Sequence, residues 1–182
     1  MAYAAQNVYL FMTLFSFQQE GFVLVDDKFT VAVVGAGGTG GYYGGALARA
    51  GSDVTMIARG AHLDAIKTHG LHLNTVLLGD FHLNTEATDD MSTLGSVDLV
   101  IFSVKSYGTD IAIRDMAPLI GDKTLIVSTQ NGIDSEQLLC DAFGGRHVLG
   151  CTVTVSAMIE EPGVVVQKGG PGSMVIGEMN GG

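Results

Sequence analysis

The stretch Val31-Ala32-Val33-Val34-Gly35-Ala36-Gly37-Gly38-Thr39-Gly40-Gly41-Tyr42-Tyr43-Gly44-Gly45 carries a short apolar strand into a glycine-spaced turn and then into a small-residue helix start. The glycines at 35, 37 and 40 have the dinucleotide-binding spacing, Gly-x-Gly-x-x-Gly. Gly35 serves a tight turn out of the strand, Gly37 lets backbone N–H groups approach a pyrophosphate, and Gly40 lets the helix pack closely on the strand. Helix-end amides and the macrodipole then hold the phosphates, which makes Gly35, Ala36, Gly37, Gly38, Thr39 and Gly40 the candidate cofactor-binding turn. In a chain with 26 glycines such spacing also arises in ordinary turns, so the context decides. Ala46 to Ala50 continue as good helix formers, Gly51 closes the helix, and Asp53 to Ile57 supply a second strand.

An NAD-preferring fold usually sets an acidic side chain at the end of that second strand, about twenty residues after the glycines, to bind the ribose 2′-OH. Here the chain reads Ile57-Ala58-Arg59-Gly60. A guanidinium in place of an acid suits a 2′-phosphate, so Arg59 favours NADP(H) over NAD(H). The competing reading is a solvated loop arginine.

Composition bounds what else the chain can be. It has 182 residues, 47% of them hydrophobic, and a net charge of -10; the mean hydropathy is +0.35 and the sequence pI about 4.6. That length buries a full core and suits one α/β domain, or one and a fragment. So acidic a chain, with no basic run, is a poor binder of phosphate backbones, which argues against nucleic acid. Cys140 and Cys151 show no C-x-x-C spacing and read as buried thiols in a reducing, cytoplasmic compartment. The five histidines form no H-E-x-x-H or Cys/His cluster, so no metal site is expected.

Residues 1–28 differ from the rest. The apolar run Val8 to Phe17 is too short to span a bilayer and lacks the positive start of a secretory signal, so no membrane partner is expected. An amphipathic docking helix is one reading; sequence added by an upstream start codon is the one favoured. The dinucleotide-binding domain is expected over 29–178.

Beyond the second strand, helix and strand signals alternate. Ala61 to His69 reads as a helix stopped by Gly70, and Leu71 to Thr75 with Gly79 to Leu83 as a hairpin. Val97 to Val104 reads as a strand buried on both faces. Thr109 to Leu119 is expected to be helical, Thr124 to Ser128 a strand, and Asp134 to Phe143 a capped helix. The last strands are expected at His147 to Ser156, Val164 to Gln167 and Ser173 to Gly177. The fold class is therefore α/β, a Rossmann-type doubly wound, mostly parallel sheet with helices on both faces.

Ligands of such sheets bind outside the carboxyl ends of the strands. Lys105, in Ser103-Val104-Lys105-Ser106-Tyr107, follows one strand, where an ammonium can reach a ribose hydroxyl, a phosphate or a carboxylate. Asn131, in Gln130-Asn131-Gly132, follows the next and can both donate and accept. Ordinary turn chemistry is the alternative for each.

Together, Gly35 to Gly44, Ile57-Ala58-Arg59-Gly60, Val104-Lys105-Ser106-Tyr107, Gln130-Asn131-Gly132 and Ser156-Ala157 with Pro162-Gly163-Val164 resemble the amino-terminal domain of the ketopantoate reductase (2-dehydropantoate 2-reductase) family, over roughly Phe29 to Glu178. The resemblance implies NADPH-dependent reduction of 2-dehydropantoate to pantoate, a step toward pantothenate and coenzyme A. It implies Arg59 on the 2′-phosphate, Lys105 near the nicotinamide ribose and the 2-oxo acid substrate, and Asn131 at the reacting end, with Lys105 and Asn131 the candidate catalytic residues. It also implies a second, helical domain that supplies the general acid. On that comparison 179–182 would begin the linker to a helical domain that this sequence does not include, and the chain by itself would be weakly active or inactive. A regulatory nucleotide-binding module and a reductase or dehydrogenase of another 2-oxo or hydroxy acid are the alternatives.

Overall fold

Four consecutive apolar residues, Val31 to Val34, are all buried to within 1%, as a strand covered on both faces must be. They form strand β1 (Thr30–Val34) of a computed structural model that describes residues 29–132 and 134–179. The sheet continues with β2 (Asp53–Ile57), β3 (Leu71–Thr75), β4 (Gly79–Leu83), β5 (Glu86–Thr88), β6 (Leu99–Phe102), β7 (Leu125–Ser128), β8 (Val148–Glu161) and β9 (Val164–Glu178). The helices are α1 (Gly38–Arg49), α2 (Gly60–His69), α3 (Thr109–Asp115) and α4 (Asp134–Phe143).

Because successive strand side chains point to opposite faces, each central strand feeds two cores. Val31, Val33, Leu99 and Ile101 meet Tyr42, Tyr43 and Leu47 of α1 and Leu63 and Ile66 of α2. Ala32, Val34, Val100, Phe102 and Ile126 meet Ala112 of α3 and Leu139 of α4 on the other face.

The strand order is β4-β3-β9-β8-β7-β6-β1-β2-β5. Its parallel part, β5-β2-β1-β6-β7-β8, has the order of a dinucleotide-binding sheet, and the chain reverses direction across the sheet between β1 and β6. The Rossmann-type, mostly parallel fold expected from the sequence is the fold observed. The β3–β4 hairpin and β9 extend the sheet past β8, with antiparallel pairing at β3–β4 and β8–β9.

Three expectations need correction, and one strand, β5, is not among those expected. The strand expected over Val97 to Val104 is confined to Leu99–Phe102, its flanks being drawn into the turns that shape the site. The two final strands are one, β9, because register shifts between Thr154 and Ala157 absorb the glycines that interrupt its alternation. Strand β5, three residues long, carries no readable period; it is held by pairing to β2 and by a 2.7 Å bond from the Thr85 hydroxyl to the Val54 carbonyl. Cys140 and Cys151 are free thiols but half-buried, not buried. Burial pushes the Cys151 thiol up to about 12. Among the described residues no three His, Cys, Asp or Glu side chains converge as a metal site requires, and no helix is long and apolar enough to cross a membrane. The readings of residues 1–28 and 180–182 lie outside the described residues.

Helix α1 rests on β1 without room for side chains between them. A Cβ on Gly40 would strike the Gly35 carbonyl and stand 2.9 Å from the Ser103 Cβ. Gly40→Val is therefore expected to destabilise the chain by about 1–3 kcal/mol through overpacking, read as a lower urea midpoint by circular dichroism. An unchanged midpoint would refute this close contact.

Candidate functional site

The carboxyl ends of β1, β2, β6 and β7 lie along one edge of the sheet, and the chain leaves each in a turn fixed by backbone bonds. After β1, the N–H groups of Gly35 and Ala36 both donate to the Ile57 carbonyl, at 3.2 and 2.9 Å. Gly35 turns the chain at φ +97°, and a Cβ there would lie 2.8 Å from the Val104 nitrogen. Glycine thus lets the turn lie directly on the Ser103–Val104 peptide. The Gly37 N–H donates to the Gly35 carbonyl (2.8 Å), and the Gly37 carbonyl accepts the first helical bond, from Gly41 (2.7 Å). The first-turn amides of Gly38, Thr39 and Gly40 are left for an acceptor outside the helix. A Cβ on Gly37 would meet nothing within 4 Å among the described residues, so the space before the helix start is open. Gly38, by contrast, is roofed by the Ala157–Met158 backbone of β8, with which any Cβ would collide. Open space in front of such amides and a positive helix end is an arrangement that suits an anion.

Arg59 follows β2 and caps the start of α2 with extended backbone. Its guanidinium is exposed, 3.7 Å from the Asp115 carboxylate at the end of α3. A surface pair of this kind contributes about 0.2–1 kcal/mol, so Arg59 can exchange Asp115 for a better anion.

Lys105 and Asn131 stand exposed in the loops after β6 and β7, and neither side chain has a hydrogen bond or ion pair among the described residues. Their backbones are held. Lys105 opens a 3-10 turn, its carbonyl accepting from Gly108 N–H at 2.8 Å. Gln130, the residue before Asn131, donates to the carbonyl of Val104, the residue before Lys105, at 2.7 Å, and to the Thr109 hydroxyl at the head of α3 at 2.9 Å. One residue earlier in each loop, the Ser103 and Thr129 hydroxyls lie 2.5 Å apart. The two loops are thus joined side by side by the residues that immediately precede the two exposed groups.

Gln130 has no local sequence signal of this role, since its partners Val104 and Thr109 lie 26 and 21 residues away along the chain. His62, one of the five histidines that form no metal-binding pattern in the sequence, is another such residue. It sits half-buried near the start of α2, with Nε2 2.8 Å from the Ala36 carbonyl and Nδ1 accepting from the Gly163 N–H at 3.0 Å. Burial holds its pKa below the usual histidine value. A cleft of about 640 Å³ lined by Ser52, Lys67, Asn84 and Glu86 lies at the opposite end of β2, away from all of these groups.

The chain resembles known proteins over most of its described length. The ketopantoate reductase PanE/ApbA family model matches residues 31–181. A 2-dehydropantoate 2-reductase of Pyrococcus horikoshii is 40% identical over 139 residues, covering 76% of this chain and 44% of the relative. The crystal structure of a PanE/ApbA family ketopantoate reductase from Ralstonia eutropha superposes with a TM-score of 0.72 at 38% identity, over 78% of this chain and 47% of that one. A ternary structure of D-mandelate dehydrogenase with NADH and anilino(oxo)acetate superposes with a TM-score of 0.73 at 25% identity, over 81% and 47%. The chain spans about half the length of the curated relatives it matches. With the family match spanning the whole sheet and the glycine turn at its switch point, the chain belongs to the ketopantoate reductase family.

Proposed function

We propose that this chain is the cofactor-binding half of an NADPH-dependent 2-dehydropantoate 2-reductase. The observation that carries this reading is the gathering of the glycine turn, Arg59, Lys105 and Asn131 along one sheet edge, the three side chains exposed and Arg59 held only by a surface pair to Asp115. The amides of Gly38, Thr39 and Gly40 would receive the pyrophosphate, with Gly35, Ala36 and Gly37 shaping the approach. Arg59 would leave Asp115 for the 2′-phosphate, since charge-assisted bonds to a phosphate contribute about 1.5–3 kcal/mol and exceed the surface pair they replace. The reduced nicotinamide supplies a hydride to the ketone carbon of a small 2-oxo acid. The Lys105 ammonium would attract the substrate's carboxylate and the charge that develops on its ketone oxygen, while the Asn131 amide orients cofactor and substrate. The proton for the resulting hydroxyl is expected from a general acid in the other half of the reductase.

A second reading keeps the site and changes the substrate. The D-mandelate dehydrogenase fold is similar, and that protein was solved with NADH. Comparing turnover of 2-dehydropantoate with that of other 2-oxo acids, in the full-length reductase, separates the readings.

Arg59→Ala is expected to weaken NADPH binding by about 1.5–3 kcal/mol, roughly ten- to 150-fold, and NADH binding little; fluorescence titration measures both, and equal losses would count against a 2′-phosphate contact. Gly37→Val should keep the fold, because its Cβ meets open space, yet lose NADPH binding, because that space is where the phosphates enter. A folded variant binding NADPH undiminished would remove the glycine turn from the site. The 182-residue chain should bind NADPH but oxidise it with 2-dehydropantoate about 10²–10⁴-fold more slowly than a full-length family member, the usual cost of a missing general acid. Equal turnover would refute this division of labour and point to Lys105 as the proton donor, a role that Lys105→Met would then test.

A further inference from the structure

We propose that His62 is a positioning residue of the nucleotide turn, its two ring nitrogens fixing the Ala36–Gly37 peptide to the β8–β9 reversal so that the helix-start amides and Arg59 keep a set separation. This rests on the nucleotide-binding reading above and assigns a role within it to a residue that does not itself touch the ligand.

The partners dictate the state of the ring. Gly163 offers only an N–H, so Nδ1 must accept; Ala36 offers only a carbonyl, so Nε2 must carry the proton and donate. The required species is a neutral imidazole protonated on Nε2, and burial favours the same neutral form. Both bonds bridge long sequence distances, 26 residues to Ala36 and 101 to Gly163.

What they hold is the least constrained backbone at the site. Residues 35, 37, 38 and 40 are all glycine, and glycine gives a turn many conformations to choose from. The Ala36–Gly37 peptide is planar, so its carbonyl and N–H move together. Its N–H is bonded to the Gly35 carbonyl at 2.8 Å, and its carbonyl to His62. With both ends engaged the plane cannot rotate, and the first amides of α1, directly downstream, inherit its direction. His62 also stands three residues after Arg59, in the first turn of α2. The same ring therefore ties the helix that begins at Arg59 to the turn that would hold the pyrophosphate, which sets the distance between the two anion-binding places.

The test uses the 182-residue chain with His62→Leu, which removes both bonds, and His62→Gln, whose amide offers a donor and an acceptor. NADPH affinity is measured by fluorescence titration, thermal stability by circular dichroism, and amide exchange by mass spectrometry in the absence of nucleotide. His62→Leu is expected to weaken NADPH about five- to tenfold and to raise exchange selectively in peptides covering 35–41 and 162–164, the effect of losing one or two ordinary hydrogen bonds. His62→Gln should recover most of both. Wild-type affinity and exchange in His62→Leu would overturn the proposal, as would a uniform rise in exchange with a collapsed melting temperature, which marks a packing residue. A wild-type chain that binds no NADPH would instead overturn the functional reading, and with it the nucleotide role given to His62.

Discussion

Helix α1 is built to be approached from two sides, and the rest of the molecule is arranged around that approach. Gly40 and Gly44 leave one flank bare for β1 and β2: a Cβ on Gly44 would stand 2.6 Å from Val33 Cγ2 and 2.8 Å from Met56 Cε. Gly38, Gly41 and Gly45 leave a second flank bare for the β3, β8 and β9 part of the same sheet: Ala157 covers the first, Val165 Cγ2 would meet a Cβ on the second at 2.8 Å, and Leu73 Cδ1 one on the third at 2.6 Å. Spacings of three and four place each set on one face of a helix. A glycine in a helix interior costs about 1 kcal/mol relative to alanine, so α1 is a poor helix by propensity. It persists because burial of Tyr42, Tyr43 and Leu47 between two sheet regions offsets that cost.

The second approach explains the long β8–β9 arm. Strand β8 completes the parallel ladder on β7 only at Val148 and Leu149, then runs on antiparallel to β9 and over the start of α1. The arm touches α1 along its length, through Ala157 at Gly38, Val165 at Gly41, and a 2.8 Å bond from the Tyr43 hydroxyl to the Ser173 carbonyl. The reversal at Gly163, φ +81°, reaches His62. The arm is thus a wall of the candidate nucleotide site as well as an extension of the sheet, and the site's geometry depends on residues more than a hundred positions beyond the glycine turn.

That dependence marks the boundary of what the sequence discloses. Elements defined by a local period or a glycine stop are legible: β2, β3 and β4 have the residues their patterns indicate, and α2 ends at Gly70. The glycine turn is legible because its backbone geometry and close packing require glycine at fixed short spacing. Strand β5 is silent because three residues carry no period, and β9 reads as two strands because glycine erases the alternation that irregular pairing then restores in space. Gln130 and His62 are hidden for a different reason. A glutamine or histidine acquires its role from the carbonyl or N–H it meets across the fold, and nothing within a few residues of either reports that meeting.

The candidate site combines fixed main chain with free side chains, and this division has an electrostatic logic. The chain carries a net charge of -10, so an anionic dinucleotide approaches against a repulsive background. Attraction must come from groups close enough for local fields to prevail over distant screened ones. The helix-start amides supply one such field without any mobile charge, and they are oriented before a ligand arrives. On the proposed reading, Arg59 and Lys105 supply the others from exposed side chains. Exposure keeps their reorganisation inexpensive, because breaking the Arg59–Asp115 pair uncovers no buried charge. The backbone beneath Lys105 and Asn131 is meanwhile joined by Gln130, Ser103 and Thr129. On the proposed reading, the motion that binding requires falls on exposed side chains, while the main chain beneath them is hydrogen-bonded in advance.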